Sequence, residues 1–167
     1  MDLVDMGTKM AIECLTAVSR HVYVPILVPR AKDEQKHEHL LASEIPVYQI
    51  TIAHMKYCFA EDARSLIKGY CLSLVTVAGR DFALAFKRLE PMALFIILYF
   101  GVLLDRVAQD PLAWWITSTG RDLVKEVSEI LQRTPIAQIA EGQLGICWTR
   151  QQVGLPDMVD VDQIVEL

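Results

Sequence analysis

Hydrophobic positions recur at three- and four-residue spacing along most of the chain, the period of helices with one buried face. Leu3, Met6, Met10, Leu15 and Val18 predict a first helix over 3–19, ending near Ser19-Arg20-His21. Tyr48, Ile52, Met55 and Phe59 predict a second over 47–60, with Glu61-Asp62 at its end. The stretch 63–77 is apolar but mixed, and its β-branched run Leu72 to Val77 suits a strand as well as a helix; the helical neighbours favour a helix. Gly79 breaks the chain, Asp81 supplies a cap, and Phe82 to Leu89 form a short helix before Pro91. Proline is well tolerated in the first turn of a helix, and the thirteen residues Met92 to Leu104 that follow are apolar on every side. Such a helix is surrounded by protein, so 92–106 is predicted as the central helix of the core. Leu112, Ile116, Leu123, Val127, Ile130 and Leu131 mark a further long helix with Trp114 and Trp115 in its first turns, stopped by Pro135. Two short segments, Ile136 to Glu141 and Leu144 to Gln152, complete the pattern.

Two stretches fall outside this periodicity. Residues 22–46 carry Pro25, Pro29 and Pro46 around a charge-dense run from Ala31 to His39. They are expected as a loop, longer than compact domains usually hold without a lid or mobile role. Asp157 to Leu167 alternates acids with apolar residues and is expected as an acidic tail. There is no internal repeat. The chain as a whole is predicted to be all-α: one domain over 1–167, a bundle of about six or seven helices around helix 92–106.

Composition then narrows the class. Of 167 residues, 53% are hydrophobic, and the mean hydropathy of +0.29 is high for a chain this charged. The longest apolar run is well short of the ~20 residues that span a bilayer, so no membrane span is expected. The acidic opening Met1-Asp2-Leu3-Val4-Asp5 is unlike a secretory signal, and a cytoplasmic protein is expected. A net charge of −5 without any cluster of Lys or Arg argues against nucleic-acid binding by this chain itself. Cys14, Cys58, Cys71 and Cys147 lack metal or disulfide spacing and are expected as buried free thiols.

Motifs for cofactor chemistry are missing: no glycine-rich phosphate loop, no G-x-S-x-G, no H-E-x-x-H. His37-Glu38-His39 has no third ligand nearby, so neither a metal nor another cofactor is expected. Two residues remain as candidates for chemistry. His54 lies on the second helix, where a pKa near neutrality suits a donor or base. Tyr99 shares a stripe of the central helix with Met92, Phe95 and Leu103, and a buried phenol needs a partner, either in the core or in a ligand. Met55, Phe59, Phe86, Met92, Phe95, Leu103, Trp114 and Trp115 are the candidate walls of an apolar site between the His54 helix, the central helix and the tryptophan helix. Arg80-Asp81 and Asp105-Arg106 are expected as ion pairs at element ends.

The segment Arg88-Leu89-Glu90-Pro91-Met92-Ala93-Leu94-Phe95 through Leu103-Leu104-Asp105-Arg106, with Trp114-Trp115, Gly120-Arg121-Asp122-Leu123-Val124, Trp148 and Val153-Gly154-Leu155-Pro156, resembles a known family. It is similar to the C-terminal end of the regulatory domain of fungal zinc-cluster transcription factors, particularly the sterol-sensing type, over roughly residues 48–156. The resemblance implies an all-helical, often dimeric domain with a pocket for a sterol-like ligand. The departures are informative. The family's six closely spaced cysteines and basic stretch are not in this sequence, and Asp105 and Tyr99 stand where the family often has histidine. Two functions therefore compete. One is a cofactor-free cyclase or isomerase of fungal secondary metabolism, acting on a terpenoid or polyketide intermediate held in a reactive conformer, with Tyr99 or His54 donating to a carbonyl. The other is a ligand-sensing or dimerisation domain of a regulator, without catalysis. The sequence reading leans to the first, with a hydrophobic small molecule as partner.

Overall fold

The computed structural model describes residues 3–28 and 36–158. Among them lie six α-helices and one small two-stranded sheet, around a single contiguous core. The mostly all-α expectation is correct, and the central helix is where the apolar run placed it.

Helix α1 (Met6–Ser19) begins where the Asp5 carboxylate accepts from the Thr8 backbone N–H at 2.9 Å and the Thr8 hydroxyl at 2.6 Å. An N-cap of this kind supplies an acceptor for N–H groups that the first turn leaves unpaired. The buried face of α1 is Thr8, Ala11, Ile12, Leu15 and Val18. Leu3, Met6 and Met10, expected on that face, point to solvent. Residues 8, 11, 12, 15 and 18 satisfy the helical period better, and the polar Thr8 hid that stripe from a reading by hydrophobicity.

The expected loop 22–46 is corrected in part. It contains a β-hairpin, β1 (Tyr23–Val28) paired antiparallel with β2 (Lys36–Leu41), followed by a 3-10 turn over Ala42–Glu44. Val22 and Val24 are buried while Tyr23 between them is exposed, the two-residue alternation of a strand. Pro25 pairs with His39. In a two-stranded sheet each strand is an edge, so a residue lacking an N–H costs no interior ladder bond. The expected lid over 31–39 lies partly outside the described residues; its described end belongs to β2.

Helix α2 (Pro46–Arg64) carries Pro46 in its first turn and buries Tyr48, Thr51, Ile52, Met55, Cys58 and Phe59, the predicted stripe plus one threonine and one cysteine. Ser65, left-handed at φ 54°, ends it. The chain then turns through Gly69 (φ 71°) and a 3-10 turn, Tyr70–Leu72, before α3 (Ser73–Lys87). Residues 65–72 are thus not helical as expected, whereas 73–77 are. Gly79 interrupts α3 at φ 73°, the predicted break.

Helix α4 (Pro91–Val107) is the centre of the molecule, with twelve buried residues. It lies against α5 (Thr119–Leu131). The two helices meet at Gly101 and Gly120, where a Cβ on Gly101 would stand 2.7 Å from Val124 Cγ2 and 3.0 Å from the Gly120 carbonyl oxygen. The two tryptophans are not in the first turns of α5, contrary to the prediction. They follow a 3-10 turn over Pro111–Ala113 whose Asp110 side chain caps Leu112 N–H, and they lie in the turns leading to Thr119. After a 3-10 turn over Pro135–Gln138, α6 (Ala140–Gln152) packs on α1. Its Trp148 stacks on Tyr99 at 5.6 Å between ring centroids. Of the expected tail, residues 159–167 lie outside the described residues, and Met158 packs partly buried against the core. No described helix is long and apolar enough to cross a membrane.

Candidate functional site

The predicted site residues fall into two groups. Met55 on α2 and Met92, Phe95 and Tyr99 on α4 are wholly enclosed, and Phe59 and Leu103 are nearly so. They form one packed core, with Phe95 5.3 Å and Phe59 6.4 Å from the Tyr99 ring centroid. The Tyr99 hydroxyl donates to the Ala11 carbonyl at 2.7 Å, tying α4 to α1. Burial pushes its phenol well above the ordinary tyrosine range. Phe86, on α3, is half-buried at the edge of that core.

The second group lies outside it. His54 is half-buried on α2, its Nε2 2.7 Å from the Ser73 hydroxyl oxygen. Ser73 spends its single proton on the Tyr70 carbonyl, also at 2.7 Å. Its oxygen therefore accepts from His54, which places the imidazole proton on Nε2. Trp114 and Trp115 are 77% and 56% exposed and turn their rings to solvent rather than to the core.

Between α2, the 65–72 connection and the C-terminal turn of α4 is a groove of about 350 Å³. The segment that closes it, Gln109 to Pro111, leads to the tryptophans, which with His54 lie outside its lining. Of the predicted residues, only Leu103 lines it. The others are Cys58, Tyr70, Cys71 and Val107 among the less polar, with a charged rim of Asp62, Lys68, Arg106 and Asp110.

Arg106 organises the rim. Its guanidinium donates to Asp62 Oδ2 at 2.8 Å and to Gln152 Oε1 at 2.8 Å, and it lies 5.6 Å from the Phe59 ring centroid. The fork of an arginine serves two acceptors at once while its plane covers an aromatic ring. Asp105-Arg106 is thus not an ion pair of neighbours: Arg106 reaches back 44 residues. Burial raises the Asp105 carboxyl, opposed by Arg121 and Arg106. Across the mouth, Lys68 meets Asp110 at 2.8 Å, clipping the 65–72 connection to the segment after α4. The Lys68 hydrogen bond, with the Leu112 N–H, holds the Asp110 carboxyl below the usual range.

The two thiols are the site's reactive groups in name only. Burial pushes Cys58 up to about 12 and Cys71 up to about 11, each raised further by a neighbour: Cys71 for the first, Asp62 for the second. At neutral pH both are thiols rather than thiolates, and the thiolate is the nucleophile and the metal ligand. All four cysteines are free, and the described residues hold no cluster of three or more metal-ligating side chains. The groove is therefore built for contact, with an uncharged floor and a rim of paired charges. A larger trough of about 650 Å³ runs between α1 and α2 past Arg20, Lys56 and Tyr57.

Sequence reasoning missed Cys58, Tyr70, Cys71, Lys68 and Asp110 as site residues. The available signal was acidic and basic residues gathered at helix ends, Glu61-Asp62, Asp105-Arg106 and Asp110, which a bundle brings to one end. Compared with known proteins, the chain matches no family model, no curated protein and no solved structure.

Proposed function

We propose that this domain is a binding module for a small, largely apolar molecule held in the groove between α2 and α4. In this reading it is a ligand-sensing domain of the kind implied by the resemblance to fungal zinc-cluster regulators, and it performs no chemistry on its ligand. The observation that carries the reading is the groove itself. Its volume of about 350 Å³ lies at the lower end of the ~300–1,000 Å³ of small-molecule sites, and such sites combine apolar walls with a few placed polar groups. The engagement of the two candidate catalysts supports binding over cyclisation. The Tyr99 hydroxyl is spent on Ala11 and the His54 Nε2 on Ser73, so neither donor is aimed into the groove.

The test is a titration of isotope-labelled protein with terpenoid, sterol and polyketide fragments, followed by heteronuclear NMR. Shifts concentrated at Cys58, Tyr70, Leu103 and Val107 are expected, with loss of those shifts in Val107→Trp, which fills the groove. Shifts concentrated in the α1–α2 trough instead, or unchanged binding by Val107→Trp, would sink the assignment. Conversion of a bound compound to an isomer of equal mass would replace the sensing function with catalysis.

A further inference from the structure

The end of the bundle at which α2 and α4 terminate carries a cap of exposed apolar side chains outside the core, of which only Ile67 also lines the groove. Leu66 and Ile67 on one connection are 77% and 55% exposed; Leu112, Trp114 and Trp115 on the other are 82%, 77% and 56% exposed. The Lys68–Asp110 ion pair at 2.8 Å joins the two connections, and both line the same groove, so these side chains belong to one end of the molecule.

We propose that this cap docks the domain peripherally on a lipid surface, the two connections entering the headgroup region of one leaflet. Three observations select lipid as the occupant. The apolar residues sit on the tips of two turns, with no strand edge free for main-chain pairing and no periodic helix face for a partner helix. A fluid leaflet accepts protruding tips without a matching pocket. Two of the five are tryptophans, whose apolar ring and single N–H suit the boundary between acyl chains and water. Finally, the charges behind the tips are compensated pairwise: Arg64 with Glu61 at 2.9 Å, Lys68 with Asp110 at 2.8 Å, Arg106 with Asp62 at 2.8 Å. Three cations and three anions leave this rim without net charge, so docking is driven by apolar insertion and is indifferent to lipid charge. The inference stands whether or not the groove holds a ligand.

The experiment uses phosphatidylcholine vesicles, followed by co-sedimentation and tryptophan emission. Trp148, half-buried against Tyr99 and outside the cap, supplies a reference signal that remains in the tryptophan variant. The full chain is expected to sediment with vesicles equally at low and high salt, with blue-shifted emission quenched by bromine-labelled acyl chains. Trp114→Ser/Trp115→Ser is expected to weaken partitioning by about tenfold or more, and Leu66→Ser/Leu112→Ser to weaken it comparably, both with wild-type circular dichroism. Either of these variant pairs retaining full binding overturns the proposal, as does wild-type protein that ignores the vesicles. Binding that requires anionic lipid and vanishes with salt also overturns it. So does a concentration-dependent dimer, seen by sedimentation velocity without lipid and abolished by the tryptophan variant, since the cap would then cover a second copy.

Discussion

Replacing Tyr99 with phenylalanine separates a structural anchor from a ligand contact. The phenol donates at 2.7 Å to Ala11, and both residues are enclosed. The Ala11 carbonyl lies inside α1, where helical geometry supplies a second donor from the following turn, so the substitution removes a bond without leaving the carbonyl bare. A net hydrogen bond is worth about 0.5–1.5 kcal/mol, and the small void left between Phe95, Trp148 and α1 adds to this. The expected loss is about 1–1.5 kcal/mol, a fall in melting temperature of roughly 2–6 °C for a chain of this size. Urea denaturation followed by circular dichroism should show a lower midpoint at unchanged slope. Because burial holds the folded phenol well above its ordinary value, the sign of the pH dependence is fixed. Below about pH 10 the tyrosine is neutral folded and unfolded, and the loss is constant; above it only the unfolded chain ionises, so wild type loses stability faster than Tyr99→Phe. Fragment shifts in the groove should be unchanged. Unaltered stability with lost ligand binding would refute the anchor argument.

Three further outcomes follow from the same geometry. Gly120→Ala places a Cβ against the Asp105 backbone nitrogen and 2.5 Å from the Gly101 carbonyl oxygen; neither can rotate away, so α4 and α5 must part, with a loss of about 1–3 kcal/mol or more in denaturant titration. Asp5→Ala removes the cap of α1 and is expected to cost about 0.5–2 kcal/mol at neutral pH. The Thr8 hydrogen bonds hold the Asp5 carboxyl below its ordinary value, so this contribution is complete above the usual carboxylate range and disappears as pH falls through the depressed value; a gap that persists under strong acid would contradict it. With a disulfide reagent at pH 8, half-buried Cys14 and Cys147 should react before Cys58 and Cys71, whose thiols stand at about 12 and about 11. Fast labelling of Cys58 in the folded protein would show that the groove floor opens.

Legibility from sequence varied with the range of the interactions concerned. Pro91 followed by thirteen apolar residues leaves no solvent face, so the burial of α4 was readable from that segment alone. The hairpin was not, because Pro25 and the charged run toward His39 are loop signals in isolation; only pairing across 23–41 turns them into edge strands. Trp114 and Trp115 misled for a related reason. Large rings are usually buried, and nothing local states that Asp110 starts a 3-10 turn that projects them outward. His54 and Tyr99 were singled out as candidates for chemistry, and the groups that engage them, Ser73 and Ala11, are 19 and 88 residues away, beyond the reach of local pattern.

What the sequence determined by itself was the helical class, the identity of the central helix and the break at Gly79, each set by neighbours within a turn or two, whereas of the four thiols expected to be buried only Cys58 and Cys71 are. Tertiary structure alone decided which polar groups are spent and which face outward. Arg106 joins Asp62 and Gln152 from three helices, Lys68 clips two connections through Asp110, and the stripe proposed as pocket wall closes on itself as core. The physical reason is that periodicity reports how much of a helix is buried but not against what. A core and a cavity are lined by the same apolar residues, and only the packing of α1, α4 and α6 encloses the Tyr99 ring and engages its hydroxyl.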